Sequence, residues 1–301
     1  MGERRLMKAL KNKNKLNGYS PVATVFFYLI MTVFMLFALI PFYVILVTSL
    51  TSYQELTSTM SFVWWPKNGI DLSAYYTILF DDMFASTDVP TLILGLLNTM
   101  WIALVTVTAQ LFFSGLAAFA YSKLRFRLKD KIFLLELATM MIPTACMGIT
   151  SFMFYRWLGW TDSYLPVVVP GMFGSATTIF FLRGFFDGIP TSLIEAAKID
   201  GLGTFGCYIK IIMPLAKPAF MAQLIFAFVS AYNAYGGPLL YLTQDTQVTL
   251  QLALTQISNS YGSFPNIRCA AAVVGLIPMI IVFLACQKYF IEGIAAGSVK
   301  G

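Results

Sequence analysis

The 301 residues contain no histidine, and the four cysteines, Cys146, Cys207, Cys269 and Cys286, lie far apart. Imidazole acid–base catalysis, His-ligated zinc and a Cys-x-x-Cys redox pair are therefore excluded. The phosphate loop Gly-x-x-x-x-Gly-Lys-[Ser/Thr] is missing as well, so the chain is not expected to bind ATP itself. No catalytic residues, metal ligands or cofactor of its own are expected. What remains is a set of polar side chains in unusual places. Asn98, Thr99, Gln110 and Ser114 interrupt an apolar stretch. At about 100° per helical residue, Gln110 and Ser114 share a face and Asn98 lies within about 120° of Gln110. Tyr232, Asn233 and Tyr235 set aromatic rings beside an amide, a surface that suits sugars. The alternative use of all these groups is hydrogen bonding between neighbouring helices. Glu136 is the one acid inside an apolar stretch, about a turn past Lys131, and is read as reaching an interface instead of relaying protons. Cys146, Cys269 and Cys286 read as packing residues, and Cys207 as a cytosolic free thiol.

A second group falls between Arg183 and Phe220. Ser192-Leu-Ile-Glu195 has the spacing of a capping box. A short helix would run through Ala196, Ala197 and Lys198, with Gly201 as its left-handed stop. Thr204 would cap a second helix, limited by Pro214 and bent at Pro218 into the next apolar stretch. Ala196 and Ala197 leave a shallow face that a groove on another protein could close over, with Lys198, Asp200 and Lys210 at its rim. Equally, Glu195 serves only as a cap and the alanines only reflect helix propensity.

These groups need elements to hold them, and the composition says which. Hydrophobic residues make up 58% of the chain and charged residues 11%, against roughly 25% charged in soluble domains. Disorder is excluded and lipid is the expected solvent. Apolar stretches built around charge-free gaps long enough to cross a bilayer predict an all-α membrane protein with six transmembrane helices, near 23–48, 92–121, 132–155, 164–183, 219–241 and 268–290. The stretch 246–267 is also uncharged but too rich in Thr, Gln, Ser and Asn. Lys and Arg set the orientation: six fall in 1–20, five in 122–131, four in 183–217 and two in 288–301, leaving only Lys67, Arg156 and Arg268 outside. Both termini are expected in the cytosol. The apolar run from Val22 to Val47 is too long for a signal peptide and is read as a retained span. The organisation is a basic N-terminus (1–20), a transmembrane domain (21–291) and a tail (292–301). Topology and attraction to anionic lipid explain the basic stretch without nucleic acid.

Taken together, Glu195-Ala196-Ala197, Gly201 and Ile211-x-x-Pro214 resemble the EAA loop of permeases from ATP-binding-cassette (ABC) importers. Met213 stands where that family has Leu, a volume-conserving exchange. The run from Tyr232 to Tyr241 is similar to a stretch of carbohydrate permeases, although Tyr232 and Ala234 depart from its Trp and Asp, whose roles are not carried over. The ending from Gln287 to Gly301 resembles the tail of the smaller permease of maltose-type oligosaccharide importers. Leu50 to Leu56 with Trp65-Pro66 resembles that family's first outer loop.

The resemblance implies a type I importer permease fold in a bacterial plasma membrane, with a coupling-helix loop over 185–217. Its partners would be a second homologous permease, two cytosolic ATP-binding subunits that carry ATP and Mg, and an extracytoplasmic sugar-binding protein. Glu195, Ala196, Ala197, Asp200, Gly201, Ile211 and Pro214 would form the ATPase-coupling surface. Asn98, Gln110, Ser114, Tyr232, Asn233 and Tyr235 would line the substrate pathway. Gly297, Ser298 and Lys300 in a small, flexible tail would reach between the ATPases, unless that tail is merely a frayed terminus. The polar loop 243–266 would probe the binding protein, or is an ordinary solvated loop. The competing functions are an ABC permease for another solute and a stand-alone secondary transporter, which would call for midplane charges or an internal repeat.

Overall fold

A computed structural model describes residues 21–59 and 62–298, with backbone only at 21, 144–145 and 289–298. The basic stretch 1–20 and Lys300 lie outside the described residues. Every regular element among them is helical. α1 (Pro21–Ser49) leads into an outer segment with two short helices, α2 (Tyr53–Ser58) and α3 (Ser73–Phe80). α4 (Thr91–Lys123) is followed by α5 (Lys129–Thr139), α6 (Thr144–Trp157), α7 (Leu165–Met172) and α8 (Ala176–Asp187). Next come α9 (Thr191–Ile199) and α10 (Thr204–Leu215), whose middle turn Tyr208–Ile212 is π-helical. α11 (Lys217–Tyr232), α12 (Gly236–Tyr241), α13 (Leu250–Ser260) and α14 (Pro265–Ser298) complete the chain.

α4 is the axis of the molecule. It packs against α7, α8, α11 and α13. Two apolar cores lie along it. The inner core, at the end the charges assign to the cytosol, joins Phe119 to Leu182, Phe186, Tyr208 and Ile212. The outer core joins Leu92 and Ala103 to Ile78, Tyr232, Leu250 and Ala271. α1 is different: it lies against α14, yet only 6% of its apolar window is buried. An all-round apolar helix left this bare is suited to lipid or to another apolar helix.

Four helical segments are long and apolar enough to span a bilayer: Val22–Ser49, Thr91–Lys123, Leu165–Asp187 and Pro265–Lys288. The bent pair Thr204–Leu215 and Lys217–Tyr241 makes a fifth when counted as one. The expected third span, 132–155, is not one helix. It divides into α5 and α6 around residues 140–143, because Pro143 sits at the N-cap of α6 and biases the preceding residue away from helical geometry.

Several local expectations need correction. The capping box does not form. Pro190 takes the N-cap position of α9, which starts the helix at Thr191, so Ser192 is already helical and neither it nor Glu195 caps. Thr204 likewise opens α10 as its first helical residue, behind an N-cap at Gly203 with no side-chain bond. Cys207 is a free thiol as expected, but a buried one, whereas Cys146, expected to pack, is exposed. The tail, expected to be small and flexible, is helical up to Ser298, since α14 carries through it, favoured by Ala295 and Ala296. Gly201 does adopt the left-handed conformation expected of it, with φ +83°.

Candidate functional site: the α9–α10 loop, the α4 axis and the outer loops

At the inner end, Gly201 reverses the chain so that α9 and α10 form a compact hairpin. The Leu202 amide donates to the Ala197 carbonyl at 2.9 Å and the Gly201 amide to that of Lys198 at 3.1 Å, satisfying carbonyls that a helix end leaves orphaned. Ile194 and Ala197 face the inner core. Glu195, Ala196 and Asp200 point away, with Ile199 86% exposed and Leu193 and Phe205 also exposed. Of the residues expected in one coupling surface, Glu195, Ala196, Asp200, Gly201 and Pro214 are thus on the outside. Ala197 is buried and Ile211 half-buried, holding the hairpin to the rest of the chain.

The hairpin is tied to α4 at two heights. Near its entry, Lys123 Nζ donates to the Ile189 carbonyl at 2.6 Å and Ser122 Oγ to Asp187 Oδ1 at 2.7 Å. Deeper in, the fully buried Tyr208 donates its hydroxyl to the Phe112 carbonyl at 3.1 Å. Gly115 makes room for that ring. A Cβ there would collide with the Tyr208 hydroxyl and stand 2.6 Å from Phe220 Cζ. An ion-pair group on the neighbouring surface, Arg183 with Asp130 at 3.2 Å and Asp187 at 3.9 Å, lays its guanidinium over the Phe133 ring, 4.0 Å from its centre. Asp130 is largely exposed, so solvent screens this cluster and it adds little to stability.

At the outer end, α4 is fixed to the loop before α13. Asn98 Nδ2 donates to the carbonyls of Thr246 and Val248 at 3.0 and 2.8 Å, and Thr99 Oγ1 accepts the Leu250 amide at 2.8 Å. Gly95 permits backbone contact, since a Cβ would lie 3.1 Å from the Thr249 carbonyl oxygen and 3.2 Å from Leu250 Cα. Asp82 binds Thr91 N and Phe84 N, at 3.1 and 3.2 Å, and the Tyr261 hydroxyl at 3.0 Å. Burial first, and then this carboxylate, pushes the Tyr261 hydroxyl up to about 12. Asp162, at φ +59°, accepts the Thr243 hydroxyl on its carboxylate and Gln247 Nε2 on its carbonyl at 3.0 Å.

The expected pathway residues divide by what they bind. Asn98, on α4, is buried against the outer loop. Ser114 is buried and accepts the Ser175 amide at 3.1 Å, across the break between α7 and α8. Tyr232 is buried and donates to the Gly275 carbonyl at 2.7 Å, joining α11 to α14. Gln110 reaches Thr178 Oγ1 at 3.4 Å from a half-buried position. Asn233 is exposed and pairs with Gln251 at 3.1 Å, while Tyr235 is 40% exposed. For Gly297 and Ser298 the structure describes backbone alone. Sequence reasoning missed Tyr208, Lys123, Asp82 and Asp162, each of which has a partner far away along the chain. Gly95 and Gly115 did leave a signal, since small residues inside a predicted span mark close approach.

Comparison with known proteins places this architecture. Residues 110–295 match the family described as binding-protein-dependent transport system inner membrane component. The chain belongs to that family. The match covers the inner part of α4, the α9–α10 hairpin and most of α14. Among relatives of this inner membrane component, the arabinooligosaccharides transport system permease protein AraQ of Bacillus subtilis is 34% identical over 204 residues, 68% of this chain and 72% of that one. The polygalacturonan/rhamnogalacturonan transport system permease protein YtcP of the same organism is 30% identical over 283 residues, 89% and 94% of the two chains. The trehalose/maltose transport system permease protein MalG of Thermococcus litoralis is 31% identical over 208 residues, 68% and 74%. A crystal structure of a bacterial ABC transporter involved in the import of the acidic polysaccharide alginate superposes with a TM-score of 0.77 at 26% identity, covering 91% of this chain and 99% of that one.

Proposed function

We propose that this chain is a permease subunit of an ATP-driven importer that carries an oligosaccharide across a bacterial plasma membrane. It works beside a second homologous permease, two cytosolic ATP-binding subunits and an extracytoplasmic sugar-binding protein. The observation that carries the reading is the α9–α10 hairpin. Its outward surface of Leu193, Glu195, Ala196 and Ile199 is presented to solvent while its opposite face is built into the core. In a family defined by transport with binding proteins, a rigid, exposed helical hairpin is suited to a cleft on an ATPase. The sugar reading is supported by relatives whose own names specify arabinooligosaccharides, polygalacturonan/rhamnogalacturonan and trehalose/maltose.

Six spans with both termini inside agree with the charge distribution, α5 and α6 together making a third span bent at Pro143. Gln110, Asn233 and Tyr235, half-buried or exposed, are assigned to the substrate route, where sugar would compete with the bonds of Gln110 to Thr178 and of Asn233 to Gln251, whereas Asn98, Ser114 and Tyr232 shape the route by holding backbone. The tail at Gly297, Ser298 and Lys300 is assigned to contact with the ATPases. Alternating access requires the hairpin to make different contacts with the open and closed ATPase pair.

The test is the double substitution Glu195→Ala with Gly201→Asp in the assembled complex. Sugar-stimulated ATP hydrolysis and uptake should both collapse while the subunits still insert. Undiminished uptake would identify a stand-alone transporter and overturn the reading.

A further inference from the structure

The outer segment that follows α2 returns along α1, and residues 62–67 form a strap held from two sides. The Tyr43 hydroxyl of α1 donates to the Trp64 carbonyl. Glu55 of α2, 4% exposed, accepts the Lys67 and Asn68 amides on its two carboxylate oxygens, at 2.8 and 3.2 Å. A buried carboxylate is costly unless its oxygens are hydrogen-bonded, and here those bonds fix the strap. Its position is thus set by its own contacts, and the space between strap and helix is pre-formed.

That space is a groove of about 550 Å³. Its floor is one stripe of α1, running through Leu36, Ile40 and Val44, and its wall is Phe62 and Trp64. From residue 36 to residue 44 is about 12 Å of helix, close to the roughly 15 Å of hydrocarbon in one leaflet. Trp64 and Trp65, both well exposed, stand as an aromatic belt does at the boundary between membrane and water. Beyond that boundary a second cavity, of about 390 Å³, shares Phe62 and Trp64 with the groove and reaches Thr59, Trp65 and Lys67. The Thr59 hydroxyl, the Trp65 indole and the Lys67 ammonium have no partner among the described residues. The two cavities together are apolar for the depth of one leaflet and then offer two neutral donors and a cation.

We propose that the groove holds one phospholipid of the outer leaflet, with an acyl chain along residues 36–44 and its phosphate on Lys67, Thr59 and Trp65. An ammonium is a compact point charge suited to a phosphate, and the indole N–H adds a donor at the depth where headgroups begin. The competing occupant is a helix of a partner subunit. A helix about 10 Å across takes up roughly 900 Å³ over about 12 Å of its length, more than the groove holds, and an apolar helix brings no anion to Lys67. An extended acyl chain is narrow enough, and the strap closes over it. The lipid then joins α1, whose faces are otherwise bare, to the outer segment. The proposal needs α1 to lie in the bilayer with its outer end as the charges assign it, and does not depend on the sugar or on the ATPases.

Native mass spectrometry tests it, on the assembled complex extracted from membranes of phosphatidylglycerol and phosphatidylethanolamine and stripped with increasing detergent. The unaltered complex should retain one more phospholipid than a complex carrying Ile40→Trp, which fills the groove. Lys67→Gln should lower the occupancy of that lipid several-fold. Phe42→Trp, at similar depth but about 200° around α1, should leave it in place. Equal retention by all four complexes would overturn the proposal. A second measurement keeps the groove intact, in case the substituted chains assemble poorly. The unaltered complex is reconstituted with a small fraction of a phospholipid bearing a photoactivatable diazirine on its acyl chain. Adducts should favour Phe62 and Trp64 several-fold over Phe34, which is exposed on α1 away from the groove. Equal labelling would mean ordinary lipid contact only, and capture of a partner subunit by a photocrosslinker at Phe62 would put a helix in the groove; either result overturns the proposal. Failure of the importer reading is separate, because Glu195→Ala with Gly201→Asp should leave lipid retention unchanged whichever way uptake responds.

Discussion

Gly95 and Asp82 show how single residues fix the outer end of α4. Gly95 lets two backbones meet, and the atoms in its way are mostly main chain, which cannot rotate aside as a side chain would. Gly95→Val should therefore cost roughly 1–3 kcal/mol, the usual range for overpacking, seen as lower resistance to heating in detergent. Gly148, with nothing near its missing Cβ, is the control. Asp82→Ala removes the acceptor of three bonds and should cost about 1–3 kcal/mol on the same measurement, with Asp81→Ala close to silent. The Tyr261 hydroxyl gives a pH signature. Its pKa is raised from near 10 to about 12 in the folded chain. Its contribution is therefore complete below pH ~10 and is lost as pH rises toward ~12. Tyr261→Phe should flatten the stability profile across that window.

At the scale of elements, the hairpin was readable and its caps were not. The positions of Gly201, Pro214 and Pro218 predicted two short helices, a left-handed turn and a bend, and all three features are present. Ser192 and Glu195 satisfied the spacing of a capping box, but spacing is a local rule and Pro190 overrode it by opening the helix earlier. Spans were legible where long apolar runs stay helical, as in α4, which lacks proline, and in α1, which runs on through Pro41. The stretch 132–155 shows the limit, because absence of charge does not register the break that Pro143 imposes. Polar residues within spans were found from sequence, yet their partners were not. Asn98 meets a loop about 150 residues away, and no periodicity encodes that. Gly201→Ala should strain the left-handed turn by about 1 kcal/mol or more and lower ATP-coupled uptake ahead of any loss of membrane insertion, measured as uptake per inserted complex.

For the whole molecule, sidedness is the first thing to establish. With the native cysteines replaced, a cysteine at Arg127 should react with a membrane-impermeant reagent only from the cytosolic side, and one at Asp245 only from outside. In the proposed assembly a partner subunit covers part of the nearly bare α1, so yield of the chain should rise when its partner subunits are co-produced, measured as full-length chain in the membrane fraction. Finally, α4 has 33 residues, about 50 Å of continuous helix, with a bound loop at either end. A rod cannot tell which end was pushed. If ATP drawn into the partner subunits shifts α4 outward-facing, then a ligand at the outer loop that favours the same position must tighten ATP binding by an equal factor. Reciprocity of this kind would let the complex withhold its fuel until cargo has arrived, with no separate sensor required.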